Sequence, residues 1–537
     1  VKAQTFLRGA AILSAAALIS KILGAVYRIP YQNITGNEGM YVYQQVYPLY
    51  SVLLIIATAG VPIAISSMVS ERLADQDRIG AFRVFRISVI SMFAIGIFFF
   101  VLLFLGAGQI AEWMGDRALL TIPIQAVSFA LLIVPFTAGL RGYFQGFQNM
   151  LPTALSQILE QVIRVVTILG LAWFFMSTGA GVAYAGAGAM LGAFTGGIGA
   201  LILLFYLARK NQLWPQMPLP QVQLQHHSAQ SKKSVIQKLL LVSFPICLGS
   251  LVIPLYGLVD SFTVGNLLEM AGTPHSTAIE LKGIYDRGQP LIQFAGFFAT
   301  SVALSIVPAI VEAISRKEEK LARGHAAVAL RWTLLLGLPA SVGLMVVAFP
   351  TNVMLYEDGA GSLSLAILAI TTVFSTLGVT SSGILQGYGR VYQPAMHMLL
   401  GVLLKVVANW ILIPLWDIRG AAVATVVAYG VATLLNLRIL SQHYQIQILP
   451  GKWSRLLGSL LVMGILTGLV ELALLQIVDF LPNERLAMTI TAMLSVLTGV
   501  VVYIWSALRF GLLTREDLEK VPKLERKLMP YLQKWGY

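Results

Sequence analysis

The chain has 537 residues, 57% of them hydrophobic and only 11% charged. Soluble domains carry about 25% charged residues, so a large soluble domain is excluded, and the single cysteine, Cys247, excludes an internal disulfide. Lys and Arg outnumber Asp and Glu by 37 to 24, a net charge of +13, but the excess is spread between apolar segments in a way that speaks for membrane topology and against a nucleic-acid partner.

A helix of roughly 20 apolar residues crosses the hydrocarbon core of a bilayer. Lipid offers the backbone no hydrogen-bond partners, so such segments are helices. Fourteen follow one another: 6–27, 41–69, 84–107, 118–140, 153–176, 182–208, 236–265, 284–311, 325–349, 362–386, 392–415, 418–440, 455–478 and 486–508. The first, behind Lys2 and Arg8, has the outline of a signal peptide, but thirteen further spans make it a retained helix. A Gly- and Ala-rich turn separates the fifth and sixth, and residues 209–235 form a polar loop that holds His226 and His227. The Lys and Arg residues cluster at the N-terminus and in alternate loops, whereas the opposite side carries only Arg28, Arg117, Lys282, Arg287, Arg419 and Arg485. Excess Lys and Arg marks the cytoplasmic side, so both termini are expected there. Residues 509–537, with Arg515, Lys520, Lys523, Arg526, Lys527 and Lys534, form a basic cytoplasmic tail suited to anionic lipid.

The chain also resembles itself at a shift of about 242 residues. Glu38, Tyr43, Pro48, Leu49, Ala57, Thr58 and Val69 recur as Glu280, Tyr285, Pro290, Leu291, Ala299, Thr300 and Val311. Pro152 and Pro394 repeat at the same shift, behind two similar loops. A shift of six helices keeps both halves in the same orientation, as in parallel-repeat transporters with a site between the halves. The expected architecture is an all-α membrane protein of about fourteen transmembrane helices. Residues 1–208 make an N-lobe of helices one to six and 236–441 a C-lobe of helices seven to twelve, joined by the 209–235 loop. Helices thirteen and fourteen, 455–508, are an addition.

Ionisable groups inside spans are costly and mark functional sites. Those here are Lys21 and Arg28 around helix one, Glu160 and Arg164 in helix five, and Asp260 in helix seven. Asp286 and Arg287 open helix eight, Lys405 lies in helix eleven and Glu471 in helix thirteen. Glu160 and Arg164, four apart, can pair on one helix face. Lys405 has no acid at that spacing, so it needs one from another helix or an anionic ligand. Arg287 has Asp286 as a neighbour able to neutralise it. Arginine grips phosphate bidentately, so Lys21, Arg28 and Arg287 converging on a central cavity predict an anionic substrate. Asp260, with Asn409 and Thr425, offers oxygens that suit a hard cation such as Na⁺, or a helix-packing hydrogen bond. The sequence holds no Cys/His cluster, no histidine metal pair and no phosphate-binding Gly loop, which speaks against an enzyme. With no ATPase motif and no cofactor, energy is expected from Na⁺, H⁺ or the membrane potential.

Fourteen helices, duplicated lobes and two extra C-terminal helices resemble the polysaccharide-exporter branch of the MATE-like superfamily. The stretch Ser20-Lys21-Ile22-Leu23-Gly24-Ala25-Val26-Tyr27-Arg28 resembles the Ser-Arg-x-Leu-Gly…Arg signature of lipid II flippases of the MurJ and stage V sporulation protein B type. Tyr285-Asp286-Arg287…Pro290 resembles their Asp-Arg element, whose arginine lines the substrate cavity. Lys21 stands where the family has Arg, Arg28 falls one position late, and an apolar position near Val52 replaces a further arginine. The family's sodium site on helices seven, eleven and twelve maps to Asp260, Asn409 and Thr425, without the expected second aspartate on helix eleven.

The resemblance implies a multi-pass protein of the bacterial cytoplasmic membrane that flips lipid II, an undecaprenyl-pyrophosphate-linked peptidoglycan precursor, by alternating access. Lys21, Arg28 and Arg287 would hold the diphosphate, and helices thirteen and fourteen would form a groove for the lipid tail. Membrane lipids and cell-wall synthesis proteins are the expected partners, and a monomer is sufficient. The alternatives are an exporter of another undecaprenyl-linked oligosaccharide, a multidrug/cation antiporter, and a non-transporting scaffold of the cell-wall machinery.

Overall fold

The computed structural model describes residues 2–213, 231–293, 309–449, 451–476 and 483–512. Most of the polar loop, with His226 and His227, residues 294–308 of the eighth span and the basic residues of the tail from Arg515 onward lie outside the described residues. The first half of the chain forms α1 (Lys2–Val26), α2 (Arg28–Thr58), α3 (Val61–Ala74), α4 (Arg78–Trp113), α5 (Arg117–Ser128), α6 (Ala130–Gly146), α7 (Leu151–Ser177) and α8 (Val182–Lys210). After the loop come α9 (Lys232–Met270), α10 (His275–Asp286), α11 (Glu319–Val346), α12 (Ala348–Tyr356) and α13 (Ser362–Ala369). The chain continues through α14 (Thr371–Gly387), α15 (Tyr392–Tyr444), α16 (Trp453–Leu475) and α17 (Glu484–Arg509).

Among the described residues eleven stretches are long and apolar enough to cross a membrane, and two of them, Ala15–Ala74 and Tyr392–Tyr444, each hold two of the expected spans. The helices differ from the sequence expectation mainly in where they break. Residues 28–40, expected as a loop, are the start of α2, because Pro30 falls in its first turn, where a missing N–H costs nothing. The second expected span, 41–69, is instead interrupted by Gly60 at φ 76°, with Pro62 opening α3. Within α15 the expected break between helices eleven and twelve is a kink at Trp416 and Asp417 (φ 52°).

The chain forms two compact units. The first joins Val1–Phe294 to Arg390–Ala432, and the second joins Ala295–Gly389 to Thr433–Tyr537. In the first, close helix crossings set the positions of charged side chains. A Cβ on Gly196 of α8 would lie 2.6 Å from the Glu160 carbonyl of α7, and one on Gly192 would lie 2.9 Å from that of Arg164. Small residues at this spacing let two membrane helices approach to backbone contact. At the other crossing α2 kinks at Gly36 (φ 70°), and α10 crosses there with Gly283 against the Asn37 carbonyl. Any Cβ at residue 283 would sit well inside 3.0 Å of that oxygen.

In the second unit α16 and α17 pack together and against α11, where the Tyr503 hydroxyl donates to the Leu335 carbonyl at 2.8 Å. A cavity of about 470 Å³ opens beside the start of α16, lined by apolar side chains such as Leu434, Leu437 and Trp453 but also by Arg438 and Gln447.

Candidate functional site

Every sequence-predicted site residue except Glu471 belongs to the first unit. Three charged groups form inside it. The first joins α9 to α15, where the Lys405 ammonium donates to Asp260 Oδ2 at 2.6 Å and to the Tyr256 carbonyl at 3.1 Å. Asn409 Nδ2 reaches Asp260 Oδ1 at 3.4 Å and Thr263 Oγ1 at 2.8 Å. The Tyr285 hydroxyl donates to Asp260 Oδ2 at 3.1 Å and lies 2.9 Å from Thr425 Oγ1. Asp260, Lys405, Asn409, Thr425 and Tyr285 are each 3% exposed or less, so this is a closed network in a low-dielectric interior. The acid that Lys405 required is therefore Asp260, which stands 145 residues earlier in the chain.

The second group lies where α10 crosses α2. Lys282 and Asp286, four residues apart, pair at 2.5 Å with side chains 1% and 4% exposed. Asp286 thus has Lys282 as an ion-pair partner, one that the sequence reading did not name. The Arg287 guanidinium donates to Asn37 Oδ1 at 3.4 Å, and Gln32 Nε2 donates to the same oxygen at 2.6 Å. Arg28, at the start of α2, reaches Gln293 Oε1 at 3.5 Å and lies over the Tyr47 ring, 5.2 Å from its centroid. That ring stacks on Tyr43, whose hydroxyl is hydrogen-bonded to that of Tyr27. Arg28 is buried, its Nε has no hydrogen-bond partner, and no carboxylate among the described residues pairs with it. It is not the interfacial anchor that a snorkelling side chain would be. A buried charge left unpaired is costly, and the Tyr47 face offsets only part of that cost.

The third group is the expected Glu160–Arg164 pair, at 2.8 Å, with an unexpected second cation. Arg141 of α6 binds the other oxygen of Glu160 at 2.8 Å and donates from Nε to Ser156 at 3.0 Å. Tyr27 and Tyr47 lie within electrostatic range of both Arg164 and Arg28. Among the described residues, the interior of the first unit therefore gathers Arg28, Arg141, Arg164, Lys282, Arg287 and Lys405 against Glu160, Asp260, Asp286 and Asp116. The surplus of cations favours an anion.

Two predicted residues stand apart. Lys21 is exposed on α1, while its helix packs on α7 through Gly24 against Gln161. Glu471 is buried on α16 in the second unit. Sequence reading missed Lys282, Tyr285, Arg141, Gln32 and Asn37. The i, i+4 spacing of Lys282 and Asp286 was a usable signal. The others depend on helix crossings that no local pattern reveals.

Asp260, Asn409 and Thr425, matched to a sodium site by resemblance, do come together around Tyr285. As a Na⁺ site the donor set fails one test. Asp260 supplies its only negative charge, and the Lys405 ammonium already engages that carboxylate. Among the described residues no three His, Cys, Asp or Glu side chains gather as metal ligands.

The family model described as polysaccharide biosynthesis protein matches residues 6–314, and the MatE model matches 245–411. The chain is 38% identical to a protein of Bacillus subtilis (strain 168) named uncharacterized membrane protein YabM, over 97% of this chain and 96% of that one. It is 29% identical to the lipid II flippase MurJ of the same organism, over 97% and 98% of the two chains. The solved structure of the lipid II flippase MurJ in an inward closed conformation superimposes with a TM-score of 0.65 at 16% identity, covering 93% of this chain and 98% of that one. The fold is shared across that length.

Proposed function

The chain belongs to the polysaccharide biosynthesis protein family and is a membrane flippase of the superfamily that holds MurJ and the MATE transporters, and from that premise we propose that its cargo is lipid II. In this reading it moves the undecaprenyl-pyrophosphate-linked disaccharide-pentapeptide from the inner to the outer leaflet by alternating access. The observation that carries it is Arg28, a buried guanidinium without a carboxylate, whose fork reaches Gln293, a few residues along the chain from the buried Arg287. A diphosphate supplies the missing charge and two sets of oxygens for a planar fork. Lys21, on the exposed side of α1, would meet the diphosphate on entry. The sugar-peptide head is too polar to cross lipid uncovered. The polyprenyl tail is apolar, and α16 and α17, with the cavity beside Trp453, offer it a matching surface. An ion gradient or the membrane potential supplies the energy, biasing the two states by differential binding.

Cytoplasmic termini remain part of the reading. Arg28, Lys282 and Arg287 are buried, so Arg117, Arg419 and Arg485 are left as the exposed cations of the side read as external, which sharpens the charge asymmetry. A different undecaprenyl-linked glycan is the second reading, because the relative named as a lipid II flippase is only 29% identical while the one at 38% has no cargo in its name.

The test is complementation in a bacterium depleted of its lipid II flippase, with lipid II in the outer leaflet detected by an added probe. Wild type is expected to restore the signal, and Arg28→Ala to lose it at equal membrane level, with Arg28→Lys intermediate. A fully active Arg28→Ala removes the diphosphate assignment. Wild-type protein that reaches the membrane without restoring the signal passes the cargo to the second reading.

A further inference from the structure

We propose that Lys405 is a tethered counter-cation. Its ammonium stands where a free monovalent ion would otherwise balance Asp260, so this chain works without binding Na⁺ at that site.

The surroundings of the Lys405 Nζ are those of a small hard cation. It touches a carboxylate oxygen of Asp260 and the main-chain carbonyl of Tyr256, and it is shut away from solvent. Two further side-chain oxygens stand beside the same carboxylate, the Tyr285 hydroxyl and, through it, Thr425 Oγ1, and Asn409 donates to it from its amide nitrogen. Asn409 is fully buried, and while its Nδ2 donates twice, its Oδ1 has no hydrogen-bond partner. Hard cations are bound by such carboxylate, carbonyl and hydroxyl oxygens.

Charge decides which cation occupies the site. The cluster holds a single negative charge, and the nearby Lys282 and Asp286 balance each other. A Na⁺ ion added beside the ammonium would leave one positive charge uncompensated in a low-dielectric interior, which is strongly unfavourable. The ammonium has little room to withdraw. One helical turn before it, Gly401 sits so close to α9 and the second half of α15 that a Cβ there would lie 2.7 Å from the Ala428 carbonyl and closer still to the Tyr256 hydroxyl. That hydroxyl donates to the Met398 carbonyl at 3.3 Å, which ties α9 to the Lys405 helix. A bound Na⁺ can leave and return during a transport cycle, whereas an ammonium on a side chain cannot. The inference concerns this charged cluster only and stands whichever glycan is carried.

The test uses purified full-length protein in detergent, with thermal unfolding followed by tryptophan fluorescence. NaCl is titrated against choline chloride at constant ionic strength. Wild type is expected to show no Na⁺-specific shift in midpoint. Lys405→Asn, which removes the charge and adds an oxygen, is expected to gain a saturable rise with Na⁺, and a further Asp260→Asn change is expected to abolish it. A saturable Na⁺ response in wild type overturns the proposal. So does a folded Lys405→Asn protein that ignores Na⁺. If Lys405→Asn is recovered folded only when Na⁺ is present during purification, the ion is replacing the ammonium and the proposal stands. Loss in both salts while Lys405→Arg folds normally overturns it. No arm requires transport, so a wrong cargo assignment leaves this outcome untouched.

Discussion

Removing Lys282 alone should be far more damaging than removing Lys282 and Asp286 together. The two side chains are 1% and 4% exposed and meet at 2.5 Å, so neither charge has water to fall back on. Deleting one partner of a buried pair costs about 3–5 kcal/mol, because the other is stranded, whereas replacing both with apolar residues of similar volume is roughly neutral. Lys282→Met is therefore expected to lose ~3–5 kcal/mol of stability, and Lys282→Met with Asp286→Leu to return close to wild type. An exposed pair at the same spacing would be worth less than about 1 kcal/mol, so the two cases are well separated. The assay is reversible unfolding in mixed micelles, read by the fluorescence of the nine tryptophans, with both single variants and the double forming a cycle. A Lys282→Met protein within ~1 kcal/mol of wild type, the exposed-pair range, would refute the reasoning, since Asp286 would then be balanced from elsewhere. A double variant as unstable as the single would refute it too, by showing that packing and not charge was lost.

Gly283→Ala should cost about 1–3 kcal/mol by overpacking, because its new Cβ meets the main-chain oxygen of Asn37, which cannot rotate away. Thermal midpoints of Gly283→Ala and of Gly265→Ala, where nothing lies within 4 Å, should differ accordingly, and equal losses would remove the close crossing as the cause. His275 bridges Glu269 at 2.7 Å and Asp116 at 3.1 Å, and the hydrogen bond with Glu269, ahead of the one with Asp116, holds its imidazole above the usual 6.5. A raised folded-state value gives stabilisation that is complete below the ordinary value and fades as pH climbs past the raised one. The midpoint of wild type relative to His275→Gln should accordingly fall as pH rises from about 6.5 through the raised value, and a constant difference would show that the bridge is uncharged.

Hydropathy made the helices legible because a bilayer imposes one simple requirement on every span. It could not reveal that a single span breaks at Gly60, which acts through one backbone angle, although the expected break at 416–417 is where α15 kinks. Charge burial was half legible. Glu160 and Arg164 announced themselves by spacing, and the same rule applied to Lys282 would have found Asp286. Counting Lys282 only as a loop residue hid that it is buried on α10. Arg164 and Lys405, within one residue of each other under the repeat shift of about 242, are neutralised by different routes. One finds its acid a turn away on the same helix, and the other finds it on a helix made much earlier. Only the first kind of partner can be read from a sequence.

The separation of Asp260 from Lys405 also bears on how the chain is made. A ribosome adds about 5–20 residues per second, so the 145 residues between them take roughly 7–30 s to synthesise. Over that interval α9 has emerged with its carboxylate and the ammonium that will balance it does not yet exist. A lone aspartate within a span is costly to insert, whereas Lys282 and Asp286 emerge within a second of each other and can neutralise one another on their own helix. Nascent chains halted between α10 and α15 thus carry an unbalanced acid, and holding α9 at the insertion machinery until α15 arrives would be a requirement of biogenesis rather than of transport.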